Sequence, residues 1–236
     1  MTRKVCYKGF IKKIIANLPA RWQFGLKRSY YSWQIHNHQF KSDEKEYDLL
    51  ELFISPGDWI LDIGANIGHY TSKFSKLAGI RGRVIALEPV TETFELLTSN
   101  AQLFPFQNVT LLNIAASDHS AVLPMEVPDF EPGIKNYYRA HLSEDKNGLM
   151  VFCIPIDSLP LNHRIKMIKI DTEGHELSVL HGMKKLLQQD HPMMIIETDS
   201  DAVIDFLKDL DYIAEKIPDS PNYIFRHEST SVGSPK

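Results

Sequence analysis

Apolar strand-like runs and helix-period stretches alternate along this chain from Trp59 to Arg226. Trp59-Ile-Leu-Asp-Ile63 is almost wholly apolar and follows the turn signal Pro56-Gly57-Asp58, so it reads as a buried strand. A glycine-rich loop comes next. Ile67, Tyr70, Phe74, Leu77 and Ala78 then fall at helical spacing, and Gly79 is a stop. Arg83–Leu87 reads as a second strand ending in Glu88-Pro89. From about Thr91 a second helix carries Phe94, Leu97, Ala101 and Phe104 on one face. A third strand is predicted over 109–114.

The alternation pauses at 118–150, a polar stretch broken by Pro124, Pro128, Pro132, Gly133 and Gly148. Val151–Ile156 reads as extended, with Pro155 arguing for a strand end or a sheet edge. The pattern resumes with the strand Ile165–Ile170, a helix bearing Leu177, Leu180 and Leu187, and the strand Met193–Ile196. A helix with Val203, Phe206, Leu207 and Leu210 follows. The segments 212–217 and 223–226 are separated only by Pro218-Asp-Ser-Pro221 and Asn222, which predicts an antiparallel hairpin. The whole is an α/β protein with a doubly wound, mixed sheet closed by a C-terminal hairpin. Ligands of such sheets bind beyond the carboxyl ends of the strands.

Composition narrows the class. At 43 % hydrophobic and 24 % charged over 236 residues, the chain is an ordinary globular one, neither disordered nor fibrous. Cys6 and Cys153 cannot build a disulfide framework or a cysteine zinc cluster, which favours a reducing, cytoplasmic setting. Lys12 and Lys13 interrupt the only apolar run near the start, and no stretch approaches the roughly 20 apolar residues of a membrane span. The net charge of −4 conceals a split. Residues 1–42 hold nine of the 26 basic residues and none of the 30 acidic ones, leaving 17 against 30 on the remainder. A basic, aromatic-rich arm (1–42) is therefore expected ahead of a body (43–227), with a loose polar tail (228–236). The arm is positioned to meet an anionic membrane surface, an acidic acceptor or the body itself.

Four strand ends carry candidate chemistry. After the first strand stands Asp62-Ile-Gly64-Ala65-Asn66-Ile-Gly68. Glycines there let a ligand approach the backbone at a helix amino terminus, although a plain tight turn has the same appearance. A dinucleotide fingerprint needs glycine at 66 and 69 as well as 64. Asn66 and His69 stand there, which disfavours a nicotinamide cofactor. After the second strand, Glu88 lies 24 residues beyond Gly64, a spacing suited to accepting hydrogen bonds from ribose hydroxyls. After the third, Ala115-Ala116-Ser117-Asp118 offers small residues against which a flat ring can pack. After the fourth, Asp171-Thr-Glu173-Gly174-His175-Glu176 concentrates acids and an imidazole, open to use as a general base, metal ligands or a clamp on hydroxyls. Acids at a helix start also suit the macrodipole, and one helical turn is not expected to aim all of these groups inward.

Together these residues resemble the FkbM family of S-adenosylmethionine-dependent methyltransferases. The likeness rests on Gly57-Asp58-Trp-Ile-Leu-Asp62-Ile-Gly64-Ala-Asn66-Ile-Gly68, Glu88-Pro89, Ala115-Ala-Ser-Asp118 and Ile168-Lys169-Ile-Asp171-Thr-Glu173-Gly174-His-Glu176. It covers about residues 46–200. It implies a Rossmann-like class I methyltransferase fold with a seven-stranded sheet. It further implies that Asp62, Gly64, Ala65, Asn66 and Gly68 hold the methionine part of S-adenosylmethionine, Glu88 the ribose, and that Ala116, Ser117 and Asp118 lie near the adenine. The activity implied is O-methylation of a sugar, a glycan or glycolipid, or another small metabolite. Thr172 and His175 depart mildly from the family pattern and leave the acceptor open.

For such a transfer the acceptor hydroxyl must be aligned and must lose its proton. Alignment supplies about 7–11 kcal/mol of the acceleration. Asp171 is the expected proton acceptor or orienter, with Glu173 or His175 assisting, and no spacing demands a metal. In the 118–150 segment, Tyr137 and Tyr138 offer faces for a sugar or ring. Arg139 and His141 offer charge for a phosphate or carboxylate. A nucleic-acid methyltransferase is a rival reading, since Trp22, Tyr30, Tyr31 and Trp33 of the basic arm could stack on bases. The acidic body and the missing D/N-P-P-Y/F motif speak against it. A non-catalytic cofactor-binding protein of the same fold is disfavoured by Asp62, Glu88 and Asp171.

Overall fold

The structure, a computed structural model, describes residues 19–131, 134–135, 139–143 and 148–230. A seven-stranded sheet forms its centre, built from β1 (Trp59–Ile63), β2 (Arg83–Leu87), β3 (Val109–Leu112), β10 (Ile165–Ile170), β11 (Met193–Glu197), β12 (Tyr212–Lys216) and β13 (Asn222–His227). The spatial order is β12-β13-β11-β10-β1-β2-β3. Only β13 runs against its neighbours, pairing antiparallel with both β11 and β12. This is the mixed, doubly wound sheet with a terminal hairpin that the sequence predicts.

Side-chain alternation divides the core between the two sheet faces. Leu61 and Ile63 of β1, with Ile168 and Ile170 of β10, pack on one face. There they meet Val179 and Leu180 of α5 (Glu176–His181), Leu186 and Leu187 of α6 (Lys184–Asp190), and Val203 and Leu207 of α7 (Asp201–Lys208). Ile60, Val84, Met167 and Ile195 point to the other face, against Tyr47 and Leu50 of α2 (Glu46–Phe53) and Tyr70 and Phe74 of α3 (His69–Ala78). The helix predicted after the fourth strand is in fact the two helices α5 and α6, with Gly182 between them. A side chain at Gly182 would collide with the Ser117 carbonyl, 1.9 Å from the position of a β-carbon, so this corner is close-packed.

The third strand is shorter than the 109–114 expected. Past Leu112 the chain leaves the main sheet, and Ala115–Ala116 (β4) joins a second sheet of order β4-β9-β5-β8. That sheet uses β5 (Ala121–Glu126), β8 (His141–Leu142) and β9 (Leu149–Ile154), with β5 and β9 antiparallel over five residue pairs. Much of the segment expected to be irregular is thus a β-excursion closed by Val90, Ala115, Met125, Val151 and Cys153. Pro155 follows the last residue of β9, where its missing N–H interrupts no ladder. The strands β6 (Asp129–Glu131) and β7 (Ile134–Lys135) form a small separate ribbon. Glu228–Thr230 make a short 3₁₀ turn.

From residue 20 onward the basic segment is attached to the body. Its helix α1 (Ala20–His36) packs on α4 (Thr91–Ala101). Phe24, Tyr31 and Ile35 contact a cluster of Phe40, Ile67, Leu96 and Phe104, and the Phe40 ring lies 4.4 Å from that of His69. Phe40 is therefore a core residue of the unit that carries the first strand-end loop. Phe40→Ala should destabilise the protein by about 3 kcal/mol. The check is a lower urea midpoint at unchanged slope.

Candidate active site

The loop after β1 is shaped by contact with the end of β10. Gly64 has φ +80°, and a β-carbon there would sit 1.8 Å from the Asp171 carbonyl oxygen. Its N–H and that of Ala65 donate to the Leu87 carbonyl, while Asp171 N–H donates to the Ile63 carbonyl. The ends of three strands, β1, β2 and β10, are thereby fixed to one another. Asn66 also has positive φ, +50°, and its side chain accepts from the Ile67 N–H. Gly68 caps α3 and Ala65 is buried.

Glu88 is 6 % exposed, with one carboxylate oxygen accepting from the Asn66 N–H (2.9 Å) and the other from the Val90 N–H (3.0 Å). Burial pushes its pKa up to about 7 against those two bonds, and Asp171 and Asp62 add to the rise. These backbone donors fix the orientation of the carboxylate while leaving lone pairs for further donors.

Asp62 and Lys169 are register partners on β1 and β10 and lie on the α3 face of the sheet. Asp62 has no exposed surface. It accepts from the Thr71 hydroxyl at 2.6 Å, and its other oxygen has no partner among the described residues. Burial raises its pKa to about 6, opposed by Lys169 and the Thr71 bond. Lys169, 3 % exposed, donates to Asp171 at 2.8 Å and lies 4.6 Å from the centre of the Tyr70 ring. Burial would lower its pKa, but Asp171, Asp62 and Glu44 outweigh that and hold it above the usual lysine value. Tyr70 in turn donates to Glu44 at 2.5 Å.

A cavity of ≈ 250 Å³ opens at these strand ends. It is lined by Gly64, Asn66, Glu88, Ala116, Asp171, Glu173, His175 and also Glu197 and Glu44; Met125 and Leu142 of the second sheet, with Ala140 just before β8, form its other wall. A smaller cavity adjoins it, bounded by Asp62, Ala65, Asn66, Tyr70, Lys169 and Asp171. As expected, the turn does not aim all four groups inward: Asp171, Glu173 and His175 share the cavity, and Glu176 does not. Glu173 at φ +50° and Gly174 at φ +94° break the helical path, so helical geometry does not govern these residues. Glu176 folds back to accept from Thr172 and the Gly174 N–H. Burial raises the pKa of Glu173, helped by Asp171. His175 is held down by burial and hydrogen-bonded to Ser117 at 3.0 Å.

Other predicted site residues lie elsewhere. Asp118 is half exposed and bonds His119 at 2.6 Å instead of lining the cavity, because its side chain lies beyond the buried end of β4. Ser117 is buried and reaches the site only through His175. Arg139 is exposed, and it and His141 bear on Glu173 electrostatically rather than by contact. Tyr137 and Tyr138 lie outside the described residues. Three participants were not predicted. Glu197 ends β11, and burial together with Asp171 raises its pKa to about 7; the strand-end rule was sufficient to find it. Lys169 stands in the motif that carries the family resemblance, but its place beside Asp62 and Asp171 shows only in the structure. Glu44 is brought in by tertiary structure alone.

This topology, with the cavity at the carboxyl ends of its central strands, is that of class I methyltransferases. The crystal structure of methyltransferase FkbM from Methylobacillus flagellatus matches at TM-score 0.54 and 19 % identity, over 74 % of this chain and 44 % of that one, a likeness of fold. A family model described as "Methyltransferase FkbM domain" matches residues 62–214, and the chain belongs to that family. Among curated relatives, hexuronic acid methyltransferase AglP of Haloferax volcanii is 29 % identical over 149 residues, 61 % of this chain. Protein-L-isoaspartate O-methyltransferase of Methanococcoides burtonii is 30 % identical over 132 residues, 54 % of this chain. The matches span 58 % and 61 % of the lengths of those two proteins.

The cofactor is S-adenosylmethionine, and the residues present fit it. Glu88 is an oriented acceptor pair for vicinal hydroxyls, and the acids lining the cavity favour a cation. Glu88 also sets a pH dependence. Its folded pKa of about 7 lies above the ordinary 4.5, so the neutral form is favoured on folding. The associated stability is complete below pH 4.5 and is lost as pH rises through 7. The ligand-free protein should therefore lose on the order of 3 kcal/mol between pH 5 and 8 from this group. Glu88→Gln should flatten that slope in denaturant titrations.

Proposed function

We propose that this chain is an S-adenosylmethionine-dependent O-methyltransferase acting on a hydroxyl of a sugar or glycan. The observation that carries the reading is the convergence in one cavity of Glu88 with Asp171, the latter bonded to buried Lys169. The cofactor supplies an activated methyl group on a sulfonium centre, so the protein's tasks are positioning and proton handling. Glu88 takes the ribose hydroxyls. Asp62, Gly64, Ala65, Asn66 and Gly68 form the floor for the methionine part, and Ala116 the surface beside the adenine.

Asp171 orients the acceptor hydroxyl or receives its proton. Lys169 donates to one oxygen of Asp171 and so fixes its orientation, leaving the other oxygen to face an acceptor hydroxyl. Burial raises Glu173 and takes Glu197 up to about 7, which tunes Glu197 to take up a proton near neutrality. An oxygen acceptor has a proton to lose, and this group of carboxylates suits that need. A relative named as a hexuronic acid methyltransferase supports a saccharide acceptor. Arg139, whose charge acts on Glu173, provides the cationic edge that an acid sugar requires.

The test is single-turnover transfer of labelled methyl groups to hexuronate-containing saccharides. Asp171→Asn should slow transfer by about 10²–10⁴-fold. Calorimetric affinity for S-adenosylhomocysteine should change little in the same variant. An unchanged transfer rate would remove Asp171 from the chemistry.

A further inference from the structure

The helix α1 presents two apolar faces. The inner one, Phe24, Tyr31 and Ile35, is spent on the body. The outer one is a separate stripe at helical spacing: Trp22, Leu26, Tyr30 and Trp33, each 46–59 % exposed. Tyr30 and Trp33 stack at 6.4 Å between ring centroids, a surface already ordered by its own rings. A shallow groove beside it is lined by Arg21, Trp22, Gly25, Leu26 and Ser29. Four large exposed apolar side chains in a row on one helix are not an incidental scatter.

The surrounding charge identifies the occupant. Arg21, which lines that groove, and Arg28, further round the same helix, are both exposed. The preceding sequence adds Arg3, Lys4, Lys8, Lys12 and Lys13, and the first acid in the chain is Asp43. Glu92 of α4 acts on Lys27 at the inner side of the helix, but the segment itself carries no acid; tryptophan and tyrosine around a leucine on such a basic segment suit the interface of an anionic bilayer. There the rings sit at headgroup level and the cations meet phosphate. A nucleic acid would meet the net-negative remainder of the chain as well, whereas a flat membrane touches only one helix face. We infer that α1 docks the protein on an anionic membrane surface through Trp22, Leu26, Tyr30 and Trp33. The same helix leads through Phe40 to Ser42 and Glu44, which line the cavities, so docking places the site beside the bilayer.

The full chain is floated with vesicles of phosphatidylcholine alone and with about a third phosphatidylglycerol. Binding is expected only to the anionic vesicles, falling with added salt, with a blue shift in tryptophan emission. Trp22 and Trp33 are two of the three tryptophans; Trp59 is stacked on His163 and serves as an internal reference. Trp22→Ala with Trp33→Ala should lower partitioning by at least about tenfold. Arg21→Gln and Arg28→Gln should each lower it by about fivefold. Leu26→Glu, on an exposed position, provides a second variant should the tryptophan pair prove unstable by circular dichroism.

Several results would overturn the proposal. One is absence of flotation, and another is equal binding to neutral vesicles. A third is unchanged binding in the stripe variants. Emission already blue-shifted and shielded from acrylamide without lipid would mean that a second copy or residues 1–18 cover the stripe. Vesicle-independent binding of single-stranded RNA through the same residues would assign the surface to nucleic acid.

Discussion

A charged chain buried inside the sheet organises this site. Lys169 lies on the central strand β10 opposite Asp62 of β1, with Asp171 two residues further on. Placing one ammonium between two carboxylates away from water is tolerable only if the geometry is kept, since stripping a partner from a buried pair costs about 3–5 kcal/mol. The hydroxyl of Thr71, the face of Tyr70 and the close Gly64–Asp171 contact restrict that geometry from three sides. The result is an aspartate of fixed position at the mouth of the cavity.

The other acids respond to that arrangement. Glu88, Glu173 and Glu197 are all raised by burial and all feel Asp171. Like charges around a small cavity cannot all ionise freely. A cationic ligand relieves the repulsion, so cofactor binding and carboxylate ionisation are coupled. The second sheet contributes by exclusion: Met125, Ala140 and Leu142 wall the cavity with apolar surface, which strengthens the electrostatics within it.

Much of this was legible in the chain. The apolar runs placed all seven main strands, and the strand-end rule led to Gly64, Asn66, Glu88 and Asp171 because parallel sheets expose those ends together. The third strand was overextended at Asn113-Ile114, where apolar periodicity continues although the chain has changed sheets. Asp118 was misplaced because the side-chain direction at a strand end depends on the sheet it leaves. That not all four groups of the 171–176 turn face inward holds, since Glu176 turns away, and positive φ at 173 and 174 is what lets Glu173 and His175 join Asp171.

Period and strand-end chemistry alone determined the architecture, the loop after β1 and the carboxylates at the strand termini. These are local properties, set by burial and by backbone sterics within a few residues. Tertiary structure decided the partners. It set Lys169 between Asp62 and Asp171, brought Glu44 to the cavity from before the first strand, and turned a polar, proline-broken segment into a wall. It also divided the aromatic residues of α1 into a buried face and an exposed one. Each of those outcomes depends on which elements pack together, and sequence spacing does not encode distances between residues far apart in the chain.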